Sequence, residues 1–352
     1  MTHPGKILDQ KMKEARMQRS EAARRTGVTE KHICTVINGQ RNITPAFAQK
    51  LGYVFESPSF WLELQAKYDE EQLRIKEEQA VTQQEISILK PLEEIIGYFI
   101  EQGDLHEGGS EAAMVMQLRK LFRVSSLMSI PEISLHVDDR VSLPSSVGID
   151  SFVLFAWSRL CELKTESVET EKPFDIGALH HKIRDLRSVM FCVPDEVPGR
   201  LQDMLAECGV VFRVVKSFRG APAKGFVKHT WNHQVLFCMT VPHQRVDAFW
   251  QTLFHELGHI LNSHLGVVRY VDFDSAQGRH ETFADEFARD TLILPGIYRR
   301  FLESTRNITW GDVVSLAQMA DVLPCIALAR LQHDGLLDWT DYPDKVMKYP
   351  WA

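Results

Sequence analysis

Residues 247–264 read DAFWQTLFHELGHILNSH, and this stretch decides how the C-terminal part of the chain is interpreted. Apolar residues recur through it at helical spacing, which predicts a buried amphipathic helix. His255 and His259 are four residues apart, so both imidazoles project from one face of that helix and can reach one ion. Glu256 lies at the edge of the same site. The pattern predicts a zinc site with an adjacent general base.

A catalytic zinc needs a third protein ligand and an open position for water. His264 does not complete the metzincin pattern, because Asn262 and Leu265 stand where that pattern requires glycine and histidine. Glu281, on a second predicted helix, is the better candidate. Asp285, four residues later, is placed to accept the free N–H of a ligand histidine and so fix its tautomer. The candidates to stabilise a developing oxyanion are Tyr270, His243, His229 and His280.

Other motifs accompany the zinc motif. Two predicted strands, 209–215 and 233–241, precede it, and an E-x-x-A-D-x-F-A helix beginning at Glu281 follows it and ends before LILP (292–295). With these features, residues 209–352 resemble the ImmA/IrrE metallopeptidases. The resemblance implies an α+β, gluzincin-like domain with Glu281 as the third zinc ligand. Turn residues separate the two predicted strands, and either Gly225-Phe226-Val227 or the second strand could pair with an extended substrate.

The segment 20–39, SEAARRTGVTEKHICTVING, has the spacing of a helix-turn-helix. Ala23 stands where the helices must approach closely, Gly27 stands at the turn, and Ile33 stands in the core. Thr29 is the expected N-cap of the second helix. That helix would face the major groove while arginines meet phosphates. The residues expected to contact DNA are Arg19, Arg24, Arg25, Thr29, Lys31, His32, Thr35 and Arg41.

Charge supports this assignment. Residues 1–50 carry ten Lys or Arg against four Asp or Glu, whereas the whole chain has a formal net charge of −7. A basic N-terminal segment therefore precedes an acidic body. Residues 3–69 resemble the HigA-like antidotes of toxin–antitoxin modules, a branch of the phage-repressor helix-turn-helix family. The resemblance implies a homodimer that binds duplex DNA at a two-fold operator.

The length of 352 residues predicts a multidomain protein. We expect an all-α, repressor-like helix-turn-helix domain at 1–70 and a linker helix at 71–88, which is rich in Glu and Gln and lacks Gly and Pro. A helical middle region is expected at 89–208 and an α+β zinc peptidase domain at 209–352.

The amino-acid composition argues against several classes of protein. Hydrophobic residues make up 44% and charged residues 25%, which argues against wholesale disorder or a fibrous repeat. No apolar run is long enough for a membrane helix, and six cysteines lack the paired spacing of a secreted framework. We therefore expect a cytoplasmic protein with reduced thiols and no membrane partner.

The predicted function is that of a DNA-binding transcriptional regulator with zinc-dependent endopeptidase activity. Glu256 would deprotonate a zinc-bound water for attack on a peptide carbonyl. The substrate would be a specific regulatory protein in a toxin–antitoxin, stress-response or phage-related module. The alternative is a non-proteolytic antitoxin or repressor whose peptidase-like domain senses or binds a partner, such as a cognate toxin.

Overall fold

A computed structural model of the chain describes residues 2–135, 148–166, 168, 172–241, 244–262, 269–273 and 279–350. This part of the chain is mostly helical, with a small sheet towards the C-terminus. It divides into two compact units. The N-terminal unit comprises Met1–Ile86 with Gly108–Met116, and the C-terminal unit comprises Ser87–Glu107 with Gln117–Ala352.

The N-terminal unit is helical. Its principal helices are α1 (Pro4–Glu14), α2 (Arg19–Thr26), α3 (Glu30–Ile37), α4 (Pro45–Leu51), α5 (Pro58–Gln79) and α6 (Gln83–Ser87). Leu8, Ile33, Ile37 and Trp61 lie in its core with almost no exposure. Several helices begin with a side-chain cap followed by proline, a pattern that satisfies the first free N–H groups. The segment predicted as a linker helix begins inside α5, which runs without a break to Gln79.

The elements that follow are mainly helices up to the sheet: α7 (Glu93–Glu101), α8 (Glu111–Phe122), α9 (Ile130–Leu135), α10 (Ser151–Glu166), α11 (Ile176–Leu186) and α12 (Val197–Ala206). The sheet and the remaining helices are β1 (Val210–Val214), β2 (Ala223–His229), β3 (Val235–Met239), α13 (Val246–Leu261), β4 (Arg269–Phe273), α14 (Arg279–Leu292), α15 (Pro295–Ser304), α16 (Trp310–Ala320) and α17 (Pro324–His333).

The sheet has the strand order β1-β3-β2-β4. β1 and β3, the two strands predicted from the sequence, pair in parallel. The turn residues predicted between them include a further strand, β2, which pairs antiparallel with both β3 and β4. The prediction that β2 or β3 adds an extended substrate is therefore wrong, because each already has a strand on both sides.

One hydrophobic core joins the sheet to the helices around it. Phe212 and Phe237 from the sheet, and Phe249, Trp250 and Leu253 from α13, are all buried in this cluster. Residues of α11 and α12 belong to the same core, although the sequence placed both helices in a separate middle region. The domain boundaries at 70, 88 and 208 stay predictions.

In the described part of the chain, no single helix has the length and hydropathy needed to cross a membrane. The pair α16 and α17 meets the criterion jointly, with a bend of 111° between the two helices.

Candidate metal centre and nucleic-acid interface

α13 carries the histidines of the predicted zinc site. His255 and His259 are each 6% exposed, and Glu256 between them is fully buried. Their side chains lie one helical turn apart, with the two Nε2 atoms 3.0 Å from each other. Burial of this turn among aromatic and aliphatic neighbours holds both imidazoles in place. The predicted placement of the two histidines on one face is confirmed.

Glu281 reaches the same point from α14. Its Oε2 lies 3.3 Å from His255 Nε2 and 3.5 Å from His259 Nε2. Among the described residues, these three form a group whose ligand atoms are close enough to share an ion. Two zinc–nitrogen or zinc–oxygen bonds of about 2.05 Å that meet at a tetrahedral angle place the two ligand atoms about 3.3 Å apart. The observed spacings of 3.0 to 3.5 Å therefore fit zinc.

Asp285 supports the site from the next turn of α14. Its Oδ1 lies 2.8 Å from His255 Nδ1, and an ionised carboxylate can only accept, so Nδ1–H donates. This bond leaves Nε2 of His255 as the atom that faces Glu281. The hydrogen bond to His255 is also the main reason that the pKa of Asp285 is lowered.

The electrostatics of Glu281 favour its charged form. Burial alone would raise the pKa of Glu281, but the hydrogen bonds that His255 and His259 donate to it when they are protonated outweigh burial and hold the pKa well below its usual range. The Glu281 carboxylate therefore favours its ionised form beside these imidazoles.

Small residues let α13 and α14 approach closely. A side-chain carbon added at Gly258 would lie 3.1 Å from Phe287 Cδ1 and 3.2 Å from Ala284 Cα. Gly258 and Ala284 at this crossing let the backbones of α13 and α14 come close together, so that the Glu281 side chain reaches both histidines. The E-x-x-A-D-x-F-A pattern therefore packs the two helices as well as placing Glu281 and Asp285 beside His255.

Sequence reasoning named Gly225 only as a possible substrate-pairing residue, and it missed both the contact of Gly225 with Glu256 and the neighbouring Lys224. A carbon added at Gly225 would lie 2.2 Å from Glu256 Cδ and 2.4 Å from both carboxylate oxygens, so the β2 backbone rests against the Glu256 carboxylate. The pairing of β2 with β4 shifts register between Ala223 and Gly225, which marks a bulge at Lys224. A glycine beside the bulge was the signal that could have indicated the close approach.

The candidates for oxyanion stabilisation remain predictions. His229 ends β2 and is half-buried, and burial lowers its pKa. Its ring packs edge-on against Phe174 at 6.2 Å. The side chains of Tyr270 and His280, and the whole of His243 and His264, lie outside the described residues.

The helix-turn-helix has the predicted geometry. α2 and α3 are joined through Gly27, whose φ of 60° is left-handed, and Ala23 and Ile33 are buried. Thr29 caps α3 through its side chain, which accepts a hydrogen bond of 3.2 Å from the His32 backbone N–H. These features place α3 at the position of the second helix of a helix-turn-helix.

The residues expected to contact DNA differ in exposure. His32 and Thr35 are half-buried. The His32 ring packs edge-on against Phe47 at 4.7 Å, and the Thr35 hydroxyl donates to the His32 carbonyl oxygen at 2.9 Å. His32 and Thr35 therefore expose less of their side chains to solvent than the other residues expected to contact DNA. Their part in DNA contact stays a prediction. Exposed at the surface are Arg19, Arg24, Arg25, Thr29, Lys31 and Arg41.

Comparison with known proteins finds similarity for the N-terminal part of the chain. A curated relative, virulence-associated protein A' from Dichelobacter nodosus, is 39% identical over 69 residues, which are 19% of this chain. The chain spans 60% of that protein's length. No family model matches the chain.

Two solved structures are similar to 23% of the chain. One is an addiction-module antidote of the HigA family from Coxiella burnetii, with 31% identity over 95% of its length and a TM-score of 0.21. The other is described as an antidote of a plasmid maintenance system from Nostoc punctiforme, with 32% identity over 94% of its length and a TM-score of 0.21. At these TM-scores the similarity rests on sequence identity alone. In sequence, the N-terminal part of the chain is similar to these two antidote proteins over nearly their whole length.

Proposed function

We propose that this protein is a DNA-binding regulator that also acts as a zinc-dependent endopeptidase on a specific regulatory protein. One observation carries the peptidase part. Three ligand atoms lie 3.0 to 3.5 Å apart beside a buried glutamate that is next in sequence to one of them. A structural zinc site is normally closed by four ligands, whereas three ligands leave a position open for catalysis.

His255, His259 and Glu281 would hold the metal. When bound, zinc lowers the pKa of a water ligand to about 7 and polarises a carbonyl oxygen. Asp285 would keep His255 in the tautomer that presents Nε2. The remaining steps fall to the protein itself, and they need a group that accepts a proton from the attacking water.

Glu256 would be that group. Its carboxylate is fully buried, and the β2 backbone at Gly225 lies against it. A carboxylate held in one position accepts the proton of the attacking water and can return it to the leaving amine. A fixed position matters because small displacements of a catalytic group reduce rates strongly.

The N-terminal unit would bind operator DNA as a homodimer. Its similarity to antidote proteins, its exposed arginines and the net positive charge of residues 1–50 support this role. A toxin, or another regulator encoded beside this protein, would be the protein partner. Tethering the peptidase to an operator would raise its concentration near proteins bound at the same DNA.

The alternative is a regulator whose peptidase-like domain only binds or senses a partner. A domain that only binds has no use for a buried general base beside three metal-ligand atoms. That combination favours the enzyme.

Proteolysis is tested by expressing the wild type and Glu256→Gln together with the product of the neighbouring gene, with and without stress. Fragments of that product should appear with the wild type and be absent with Glu256→Gln, while Glu303→Gln, an exposed position on α15, should match the wild type. Identical fragments from the wild type and Glu256→Gln would reject the enzyme and favour the binding-only alternative.

DNA binding is tested with the full chain and its own upstream DNA over a range of salt concentrations. Binding should weaken steeply with salt, and Arg41→Ala should weaken it on all sequences. Lys31→Ala should instead change sequence preference. Absence of binding even at low salt would mean that the unit contacts protein.

A further inference from the structure

A cleft of about 530 Å³ shares a wall with the metal centre. Asp285, the partner of His255, is part of its lining, and so is Gln251, one helical turn before His255. Lys224, at the bulge in β2, lies on the same cleft. The volume is in the range of small-ligand sites. The cleft therefore adjoins the metal centre through Asp285 and Gln251.

Two arginines of this cleft have buried N–H groups that lack an acceptor. Within the described residues, Arg289 Nε and Arg330 Nη1 are both buried without a hydrogen-bond partner. The carboxylate of Asp290 lies 3.8 Å from Arg289 Nε, beyond hydrogen-bond reach. Buried donors without acceptors are costly and call for an explanation, such as a ligand.

The rest of Arg330 is firmly held. Its Nε donates to Asp334 at 2.8 Å, and its guanidinium lies 4.3 Å from the centre of the Tyr298 ring. These contacts fix the plane of the guanidinium and leave Nη1 without a hydrogen-bond partner. An arginine anchored in this way loses little freedom when it binds a planar anion.

The acids that line the cleft are mostly engaged elsewhere. Asp247 receives two hydrogen bonds from Arg245, at 2.7 and 3.1 Å, and Asp285 is bonded to His255. Glu286 lies at the exposed rim. The chemistry available to a ligand is therefore that of guanidinium donors above an apolar surface formed by Ala248, Leu292, Ile293, Ile326 and Ala329.

We propose that this cleft binds a carboxylate of the peptide substrate through Arg289 and Arg330. The carboxylate can be an acidic side chain or the C-terminus of the peptide, since both present the same planar pair of oxygens to guanidinium donors. The apolar surface would contact the aliphatic part of the same residue. This inference rests on the proposed peptidase, because it assigns the carboxylate to that enzyme's substrate.

The test measures peptide binding, so it needs no cleavage. The full-length Glu256→Gln chain, supplied with zinc, is titrated calorimetrically with short acetylated alanine peptides. One amidated pair carries a central glutamate or glutamine, and a second pair has a free or amidated C-terminus. We expect the charged member of at least one pair to bind about tenfold more tightly than its neutral match. The pair that shows the preference identifies the source of the carboxylate.

Arginine variants assign the preference to the cleft. Arg289→Gln should abolish it, and Arg330→Gln should reduce it at a temperature where circular dichroism matches the parent chain. Arg299→Gln, an exposed arginine on α15, should leave it unchanged. Equal binding of charged and neutral peptides, or a preference that survives Arg289→Gln, would overturn the proposal. A preference without cleavage by the wild type would retain the cleft and reject only the peptidase.

Discussion

A methyl group added at Gly225 probes the contact between β2 and the Glu256 carboxylate. The added carbon would lie 2.2 to 2.4 Å from the carboxylate atoms, whereas ordinary contacts are 3.4 to 4 Å, so the two must separate by about 1 Å. Neither side moves freely, because Glu256 is fully buried and β2 is paired on both edges. Overpacking of this kind costs about 1–3 kcal/mol.

A double-mutant cycle isolates this contact from other effects. Glu256→Ala removes the carboxylate that the added methyl group would meet. In that background Gly225→Ala should no longer destabilise the folded chain, and it can stabilise it by about 0.5–1 kcal/mol because the unfolded chain loses conformational entropy. The coupling should therefore be about 2 kcal/mol. Glu256→Gln keeps the volume of the side chain, so in that background the cost should persist. This control separates size from charge.

The assay is urea denaturation of the metal-free full chain, followed by tryptophan fluorescence. Six of the seven tryptophans follow residue 150, so the signal reports mainly the C-terminal unit. The same displacement should reduce any peptidase activity about a hundredfold. If Gly225→Ala costs the same in the wild type and in Glu256→Ala, the carboxylate does not lie against β2 and the placement of the general base is wrong.

Two further predictions concern the metal site and the core. Asp285→Asn should lower zinc affinity about 10–100-fold, because His255 loses the carboxylate that orients it. Competition with a chelator measures this affinity, and Asp290→Asn on the same helix should leave it unchanged. An equal loss of affinity in both variants would reject the orienting role of Asp285. Burial raises the pKa of Tyr349 to about 12, so between about pH 10 and 12 the folded chain keeps a proton that the unfolded chain releases, and stability should fall over that interval. Tyr349→Phe should make this fall smaller in urea denaturation at about pH 9 and pH 11.5, and an unchanged fall would contradict the assignment.

The grouping of His255, His259 and Glu281 was predictable because the geometry within each helix is local and a family resemblance pointed to Glu281. Histidines four residues apart share a face of any helix, and Glu281 and Asp285 share a face of the next one. The helix-turn-helix was predictable for the same reason, since caps and turns are set by neighbouring residues. In each case the structure needed only to bring two helices together.

Features that depend on strand order were not predictable in this way. β2 was interpreted as a turn because glycine, alanine and proline precede it, and its position between β3 and β4 follows from pairings distant in sequence. The error about substrate addition, and the missed contact of Gly225 with Glu256, both derive from that order. The packing of His32 against Phe47 likewise involves a neighbouring helix that periodicity does not reveal.

The central claim is that His255, His259 and Glu281 hold zinc beside Glu256, and metal analysis of the purified chain tests it most directly. The wild type and Glu256→Gln should each contain about one zinc ion per chain, because Glu256 is not a ligand, while His259→Ala should contain far less. Stoichiometric zinc in His259→Ala, or none in the wild type purified with zinc present, would contradict the account.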